Sequence, residues 1–238
     1  MSKKKVKVLE EKEQLVDLLN SKSKLKQDIS DVMTGWFKKF KVVLAECTAD
    51  IRKRIPDERV RVKFEDKGES EAHLCIGSDI IVFYLHSNVF KFSDRDFPSM
   101  TSYVQDNPEN GYCGIIHFYN FLYDSYEYNR LNDLGYLIGR LFINRENHFV
   151  VEGKGKLGYT YRDFMHQVID EKILHNLVYE ISIHAIEFDL MTPPYQTVQQ
   201  VSVVDMQTLS QSSKLKTGKR LGFQFEARDG LPKAEKKI

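Results

Sequence analysis

The sequence predicts an α+β fold in which an antiparallel sheet packs against an amphipathic N-terminal helix and a long C-terminal helix. Apolar residues recur with a helical period from residue 30 to 55, alternate with a period of two after residue 60, and form a broad helical face again after residue 161. Short links between the alternating segments favour antiparallel pairing. The predicted organisation has three parts: a helical segment 1–55, an α+β core domain 56–228 and a flexible tail 229–238.

The composition is that of a folded chain. Hydrophobic residues make up 42% and charged residues 29% of the 238 residues, which is unlike a disordered protein. The net charge of +1 provides no overall field that would attract nucleic acid or an anionic membrane, so anion binding would depend on local patches. We find no N-terminal signal and no apolar run of about 18 residues, and therefore predict a cytoplasmic protein that does not contact the membrane. The three cysteines are expected to be buried free thiols.

The first long helix is predicted from residue 30 to residue 55. Its apolar side chains recur at alternating steps of four and three, which places them on one helix face. These are Met33, Phe37, Phe40, Leu44, Cys47 and Ile51. The face packs in the core or forms a seam with a protein partner or a second copy of the chain, because two heptads are too few to require a coiled coil.

Alternating or fully apolar runs predict the strands. They are expected at residues 60–65, 72–76, 79–86, 89–92, 112–119 and 148–152. The segment 93–111 has little periodicity and is interpreted as a long loop that is either functional or mobile. Residues 121–128 are ambiguous between strand and helix.

The segment 134–141 has apolar residues at helical spacing, and we favour a helix there. The alternative is a strand pair that turns at residues 144–147. A mostly helical segment is then predicted from residue 161 to 190, residues 197–204 are β-prone, and a last strand is expected around Leu221, Phe223 and Phe225.

The stretch from Tyr112 to Gly158 has the densest aromatic content and ends in a cluster of three glycines. The cluster matches the pattern G-x-G-x-x-G. A dinucleotide fold would need a strand ending in an acid about 20 residues further on, where this sequence predicts a helix. A protein kinase would need HRD and DFG motifs, which do not follow. We predict a glycine hairpin whose N–H groups, with Lys154 and Lys156, either face water or bind a phosphate.

A second basic cluster lies near the C-terminus, next to Phe223 and Phe225. It is either a solvated hairpin or a surface for a single nucleic-acid strand. The favoured function is a non-enzymatic binding or scaffold protein that contacts nucleic acid, a nucleotide or another anionic partner through lysine-rich turns and needs no cofactor. The candidate anion-binding residues are Gly153, Lys154, Gly155, Lys156, Lys214, Lys216, Lys219 and Arg220.

The same glycine segment supports an enzymatic alternative. Residues 150–154 read Val-Val-Glu-Gly-Lys, which resembles the strand end of PD-(D/E)xK nucleases. The resemblance implies an Mg²⁺-dependent nuclease or phosphodiesterase in which Asp133 and Glu152 hold the metal and Lys154 orients the attacking water or offsets charge on the phosphate. The pattern is short and degenerate, so the sequence leaves open whether the chain is an enzyme.

Overall fold

The computed structural model describes residues 3–131, 133–188, 192, 194–204 and 206–207. The chain divides into two compact units, Met1–Glu187 and Phe188–Ile238. Among the described helices, none combines the length and the apolarity that crossing a bilayer requires.

The smaller unit contains the short helix α7 (Tyr195–Val198). The β-prone prediction for residues 197–204 is wrong, because no strand forms there. The predicted closing strand around Phe223, the basic cluster beside it and the tail 229–238 lie outside the described residues.

The larger unit begins with two helices joined by a π-helical turn. They are α1 (Lys3–Leu18) and α2 (Lys24–Arg54), and the turn between them is Leu19–Ser23. The predicted helix is confirmed, but it starts before residue 30 because the apolar stripe already begins at Leu25 and Ile29. From Leu25 to Thr48 this stripe is buried in the core.

A seven-stranded antiparallel sheet follows, which confirms the predicted fold class. Six strands lie in the order β1-β2-β3-β5-β6-β7, and β4 pairs with the start of β5. Their bounds are β1 (Val62–Asp66), β2 (Glu71–Ile76), β3 (Asp79–Leu85), β4 (Phe90–Lys91), β5 (Tyr112–Leu122), β6 (Tyr136–Asn144) and β7 (Phe149–Gly153).

The helix predicted over residues 134–141 is wrong, since this segment forms β6 and turns back into β7. The cause is a bulge. Phe118 pairs with Gly139 but Tyr119 pairs with Leu137, which leaves Ile138 as an extra residue. The bulge lets Ile138 and Leu141, three residues apart, enter the same core, and this spacing imitates a helix.

The first face of the sheet is covered by α2 and by α6 (Glu171–Glu187). Three aromatic rings, one from α2 and two from the sheet, fill the space between the helix and the sheet. The Phe40 centroid lies 5.0 Å from that of Phe83 and 6.3 Å from that of Phe118, and the latter two are 5.6 Å apart. These side chains are fully buried and form the centre of the main core.

The final long helix begins at Glu171, ten residues later than predicted. The preceding segment passes around the β7 edge instead. Tyr161 and Ile169 belong to the main core, while Phe164 belongs to a second cluster on the other face of the sheet. A single helix face cannot serve two opposite faces of a sheet, so the helical period was misleading here.

Within residues 3–131 and 133–188, the second face of the sheet is covered at its ends. At one end lies the segment 93–111, which the sequence predicts as a loop and which contains the helix α3 (Ser102–Asp106). At the other end lies α4 (Tyr123–Glu127), whose Tyr126 ring stands 5.2 Å from the ring of His73. No other segment within these ranges covers the middle of this face, where a cleft lies.

The buried imidazole of His73 makes stability depend on pH. Its exposed fraction is 2%, and burial lowers its pKa, although Glu71 acts in the opposite direction. Above pH of about 6.5 the residue is neutral in both the folded and unfolded states and contributes no pH dependence. As pH falls below that value, the unfolded chain binds a proton that the folded chain resists, so the free energy of unfolding should decrease.

Chemical denaturation at several pH values between 7.5 and 5 tests this expectation. Burial also lowers the pKa of His117 and His184, so His73→Leu should remove part of the decrease and leave the rest. An identical pH dependence in the variant would contradict the assignment to His73.

Candidate anion-binding cleft

The open middle of the second sheet face is the floor of a cleft of about 810 Å³, which we call the sheet cleft. Its floor includes side chains from β5, β6 and β7, and its walls come from the segments 90–98 and 153–162. The polar and aromatic residues that line it are His86, Phe90, Lys91, Phe92, Asp96, Phe97, His117, Arg140, Phe142, Glu152, Tyr159 and Arg162.

Four polar side chains form a row across the sheet. Directly paired positions on β3, β5, β6 and β7 bring Tyr84 beside His117, His117 beside Arg140, and Arg140 beside Glu152. Directly opposed residues of an antiparallel sheet share a face and interact. A hydroxyl, an imidazole, a guanidinium and a carboxylate therefore follow one another at the spacing of the strands. The last three of these four groups line the sheet cleft.

The cation of this row is held in place by the acid next to it. Arg140 Nε donates to Glu152 Oε2 at 2.7 Å, and Arg140 Nη2 donates to the same oxygen. The guanidinium carbon also lies 5.2 Å from the centre of the Phe142 ring. A guanidinium has five N–H donors, so the pair with Glu152 uses only part of its capacity.

The imidazole of His117 lies among other rings. Its centroid is 5.5 Å from that of Tyr119 with a stacked orientation, 6.3 Å from that of Tyr84 and 5.9 Å from that of His86. Burial, and then the charges of Arg140 and His86, lower the pKa of His117 below its ordinary value. The imidazole is therefore neutral at pH 7. Among the described residues its Nδ1 is buried and has no hydrogen-bond partner, and the ring lines the cleft, which leaves Nε2 as the nitrogen able to meet a ligand there.

The imidazole of His86 is oriented by the backbone. Its Nδ1 accepts a hydrogen bond from the Asn88 N–H at 3.0 Å. In the neutral form the proton of His86 therefore resides on Nε2. His86 can then donate a hydrogen bond through Nε2–H, whereas His117 can accept one at Nε2.

Two further cations stand at the walls of the sheet cleft, each over an aromatic ring. Lys91 Nζ lies 5.9 Å from the centre of the Tyr112 ring, and Arg162 Cζ lies 5.7 Å from that of Phe97. With Arg140 they outnumber the two lining carboxylates, Asp96 and Glu152. The lining thus has a small positive excess in a protein that is almost neutral overall.

The glycine cluster is not the hairpin that the sequence predicts. Gly153 ends β7, Gly155 has a φ of +59°, and the chain then enters the short helix α5 (Lys156–Thr160). A Cβ on Gly158 would stand 2.4 Å from the Gly153 carbonyl oxygen, so close backbone packing accounts for this glycine. All three glycines of the cluster nevertheless line one wall of the sheet cleft.

The two lysines of that cluster are not part of the lining. Lys156 Nζ forms an ion pair with Glu180 of α6 at 3.0 Å. The charge of Lys154 contributes to the lowered pKa of His184, which is also on α6. The other predicted anion-binding residues, Lys214, Lys216, Lys219 and Arg220, lie outside the described residues.

The acids of the nuclease alternative contact different partners. Asp133 accepts a hydrogen bond from Ser125 of α4 at 2.7 Å and lies 3.9 Å from Arg130, whereas Glu152 pairs with Arg140. Over the ranges that the structure describes, no group of three or more His, Cys, Asp or Glu side chains is placed to hold a metal ion.

A cysteine–histidine–glutamate arrangement occurs between α2 and α6. Cys47 Sγ lies 3.2 Å from His175 Nδ1, and His175 Nε2 lies 3.4 Å from a carboxylate oxygen of Glu46. The thiol is only 1% exposed, and burial raises its pKa. A protonated thiol without access to a substrate is a poor nucleophile, so this contact is structural. Cys47, Cys75 and Cys113 are all buried and free, as predicted.

Sequence reasoning missed His86, His117 and Arg140 of the cleft, because they come from separate segments: His86 follows β3, His117 lies in β5 and Arg140 in β6. One signal was available. In β5 the side chains of His117, Tyr119 and Phe121 alternate with buried ones, which marks a face with polar and aromatic character. The chain matches no protein-family model, no curated protein and no solved structure. Function therefore has to be argued from the geometry of the sheet cleft.

Proposed function

We propose that the protein is a binding protein and that the sheet cleft holds an anionic ligand with flat rings, which means a nucleotide or a segment of single-stranded nucleic acid. The observation on which the proposal depends is the direct pairing of His117 with Arg140 on the floor of an open cleft with aromatic walls. The class of ligand is the one that the sequence suggests, but its proposed site is on the sheet and not at the lysine-rich turns.

The phosphate of such a ligand is suited to Arg140. A guanidinium presents several N–H groups in a plane, and this geometry matches phosphate oxygens. Glu152 holds the guanidinium in one orientation, which reduces the conformational entropy lost on binding. The donor Nε2 of His86 lies on the same face.

The bases of the ligand are suited to the exposed rings. Tyr159 is 77% exposed and Phe97 is 53% exposed, and both line the cleft. Stacking of a base on an aromatic ring is worth about 1–3 kcal/mol and is tolerant of sequence. The cleft volume of about 810 Å³ is in the range that small-molecule ligands occupy.

Removing the guanidinium should weaken binding strongly. We expect Arg140→Met to raise the dissociation constant for a short 2′-deoxy oligonucleotide about 10- to 100-fold, because a hydrogen bond to a charged group is worth about 1.5–3 kcal/mol. Fluorescence anisotropy at low salt measures this constant. The slope of log affinity against log salt should be about −2 if Lys91, Arg140 and Arg162 each contact a phosphate, and the variant should lose about 0.7 of it.

Arg145→Met is the matched control. Arg145 has the same side-chain exposure as Arg140, 35%, and also pairs with an acid, Glu109, but it does not line the cleft. Its variant should bind normally. Arg140→Met leaves the Glu152 carboxylate unpaired, and this charge would repel the phosphate. The double variant Arg140→Met/Glu152→Gln lacks that repulsion, so its dissociation constant reports the lost attraction between the guanidinium and the phosphate. An equal loss in both arginine variants, or no binding of oligonucleotide or nucleotide by the unchanged protein, would refute the proposal.

Three expectations from the sequence stay predictions. The metal-dependent nuclease predicts that Glu152→Gln abolishes Mg²⁺-dependent cleavage. A partner bound through the helix 30–55 would have to use its exposed side, since the apolar stripe is buried. The cytoplasm stays the predicted location, in keeping with the three free thiols.

A further inference from the structure

We infer that the sheet cleft is a ribonuclease site, in which His117 takes the proton of a ribose 2′-hydroxyl and Arg140 stabilises the charge on the neighbouring phosphate. This inference rests on the proposed function and deepens it, because it names RNA as the substrate class. It uses only groups that the floor of the cleft already brings together.

The geometry of the floor matches what cleavage of RNA requires. A proton-accepting side chain, the general base, must lie within hydrogen-bond reach of the 2′-hydroxyl while a cation contacts the adjacent phosphate. His117 and Arg140 are directly opposed on β5 and β6, and paired strands lie about 4.8 Å apart. If Arg140 binds a phosphate, the ribose that is joined to this phosphate through its 3′-oxygen can therefore lie next to the imidazole of His117.

The protonation of the floor suits this assignment. His117 faces Tyr84, Tyr119, His86 and Arg140, and the positive charge of the last disfavours a second charge on the imidazole. Neutral His117 accepts a proton at Nε2 when its own proton is on Nδ1, and the inference assigns it this tautomer. The nearby carboxylate of Glu152 is engaged with Arg140, so it offsets the guanidinium charge without competing for the proton.

The reaction is balanced without a further reagent. The 2′-oxygen attacks phosphorus as His117 removes its proton, and a bond from the 2′-oxygen to phosphorus forms. The bond from phosphorus to the 5′-oxygen breaks on the side opposite the 2′-oxygen, the departing oxygen takes a proton from water, and the proton held by His117 is released to the solvent. The products are a 2′,3′-cyclic phosphate and a 5′-hydroxyl. Arg140 and the Nε2–H of His86 donate to the non-bridging oxygens, and Glu152 is a positioning residue for Arg140.

The test compares an RNA oligonucleotide with its 2′-deoxy counterpart of the same sequence in the presence of EDTA. The unchanged protein should cut only the RNA, and the fragments should end in a cyclic phosphate and a 5′-hydroxyl. This comparison needs no variant, so it is independent of folding. Cleavage of both strands, or cleavage that EDTA abolishes, would overturn the inference.

Variants then assign the residues. His117→Asn should slow cleavage about 100-fold or more, the usual contribution of general acid–base catalysis. His166→Asn, purified identically, is the control, because His166 is exposed and pairs with Asp163 away from the cleft. An equal rate in His117→Asn and the unchanged protein would identify a contaminating nuclease. A positioning role for Glu152 predicts that Glu152→Gln raises KM and lowers kcat while leaving the pH profile in place.

The pH profile gives a second readout for His117. The rate should fall as pH drops through the pKa of His117, which is lower than its ordinary value of about 6.5, and should be level above it. Binding of the 2′-deoxy strand separates the two proposals. If that strand binds in an Arg140-dependent way but RNA is not cut, this inference fails and the proposed function stands. If neither strand binds and RNA is not cut, both fail.

Discussion

Truncating Phe118 to alanine is expected to lower the free energy of unfolding by about 3–5 kcal/mol, which is the usual cost of removing a buried phenyl ring. Phe118 is fully buried, and its ring contacts those of Phe40 and Phe83 between α2 and the sheet. Close packing leaves little room for neighbouring side chains to fill the cavity. Urea denaturation, followed by circular dichroism, measures the loss.

Phe97→Ala is the control for this experiment. The Phe97 side chain is 53% exposed, so its removal should change the free energy of unfolding by less than about 1 kcal/mol. A loss below about 1 kcal/mol for Phe118→Ala would mean that the three-ring cluster is not the centre of the core. Phe118 stands between His117 and Tyr119 in β5, so a large loss would also show that the floor of the sheet cleft depends on this core.

Gly158→Ala should destabilise the protein by about 1–3 kcal/mol, because the added methyl group would lie 2.4 Å from the Gly153 carbonyl oxygen and the backbone would have to move. The matched substitution is Gly35→Ala. Gly35 lies inside α2, and a Cβ there meets no atom within 4 Å. Alanine at this position should stabilise the helix by about 1 kcal/mol.

The two glycine variants distinguish two explanations of the motif. If the glycines are required by backbone packing, the midpoint of denaturation should move down for Gly158→Ala and up for Gly35→Ala. If the Gly153–Gly158 segment were a phosphate loop without packing constraints, Gly158→Ala would keep the stability of the unchanged protein and lose anion binding alone. Replacing any glycine by alanine has a general effect on the unfolded chain, which would move both denaturation midpoints in the same direction. Shifts of opposite sign therefore report the local surroundings of each glycine.

In the proposed function the anion site lies in the sheet cleft, and the class of ligand is the one that the sequence suggests. The sequence drew attention to the Gly153–Gly158 segment, which does line the cleft. Neither lysine between those glycines lines the cleft, and Lys156 pairs with Glu180 of α6. Sequence proximity to a glycine turn is therefore a poor guide to which cation meets a ligand, because the side-chain direction is decided by the elements that pack against the turn.

The segment from Tyr136 to Asn144 shows why one local prediction was wrong. Its apolar residues have helical spacing, and local spacing alone cannot distinguish a helix from a strand that contains a bulge. The bulge forms because β5 supplies a partner strand with a register shift between Phe118 and Tyr119. That partner is distant in sequence, so its effect on residues 137–139 is invisible to a local pattern.

Local patterns in the chain were enough to predict the helix that runs to Arg54, most of the strands and the burial of the three thiols. Those properties depend on the apolar period of single segments, which can be read locally. Strand pairing in the folded chain brings His117, Arg140 and Glu152 side by side, on a sheet face whose middle the described residues leave open. Strand register and the cover of each face arise from packing between residues far apart in the chain, so no single segment contains them.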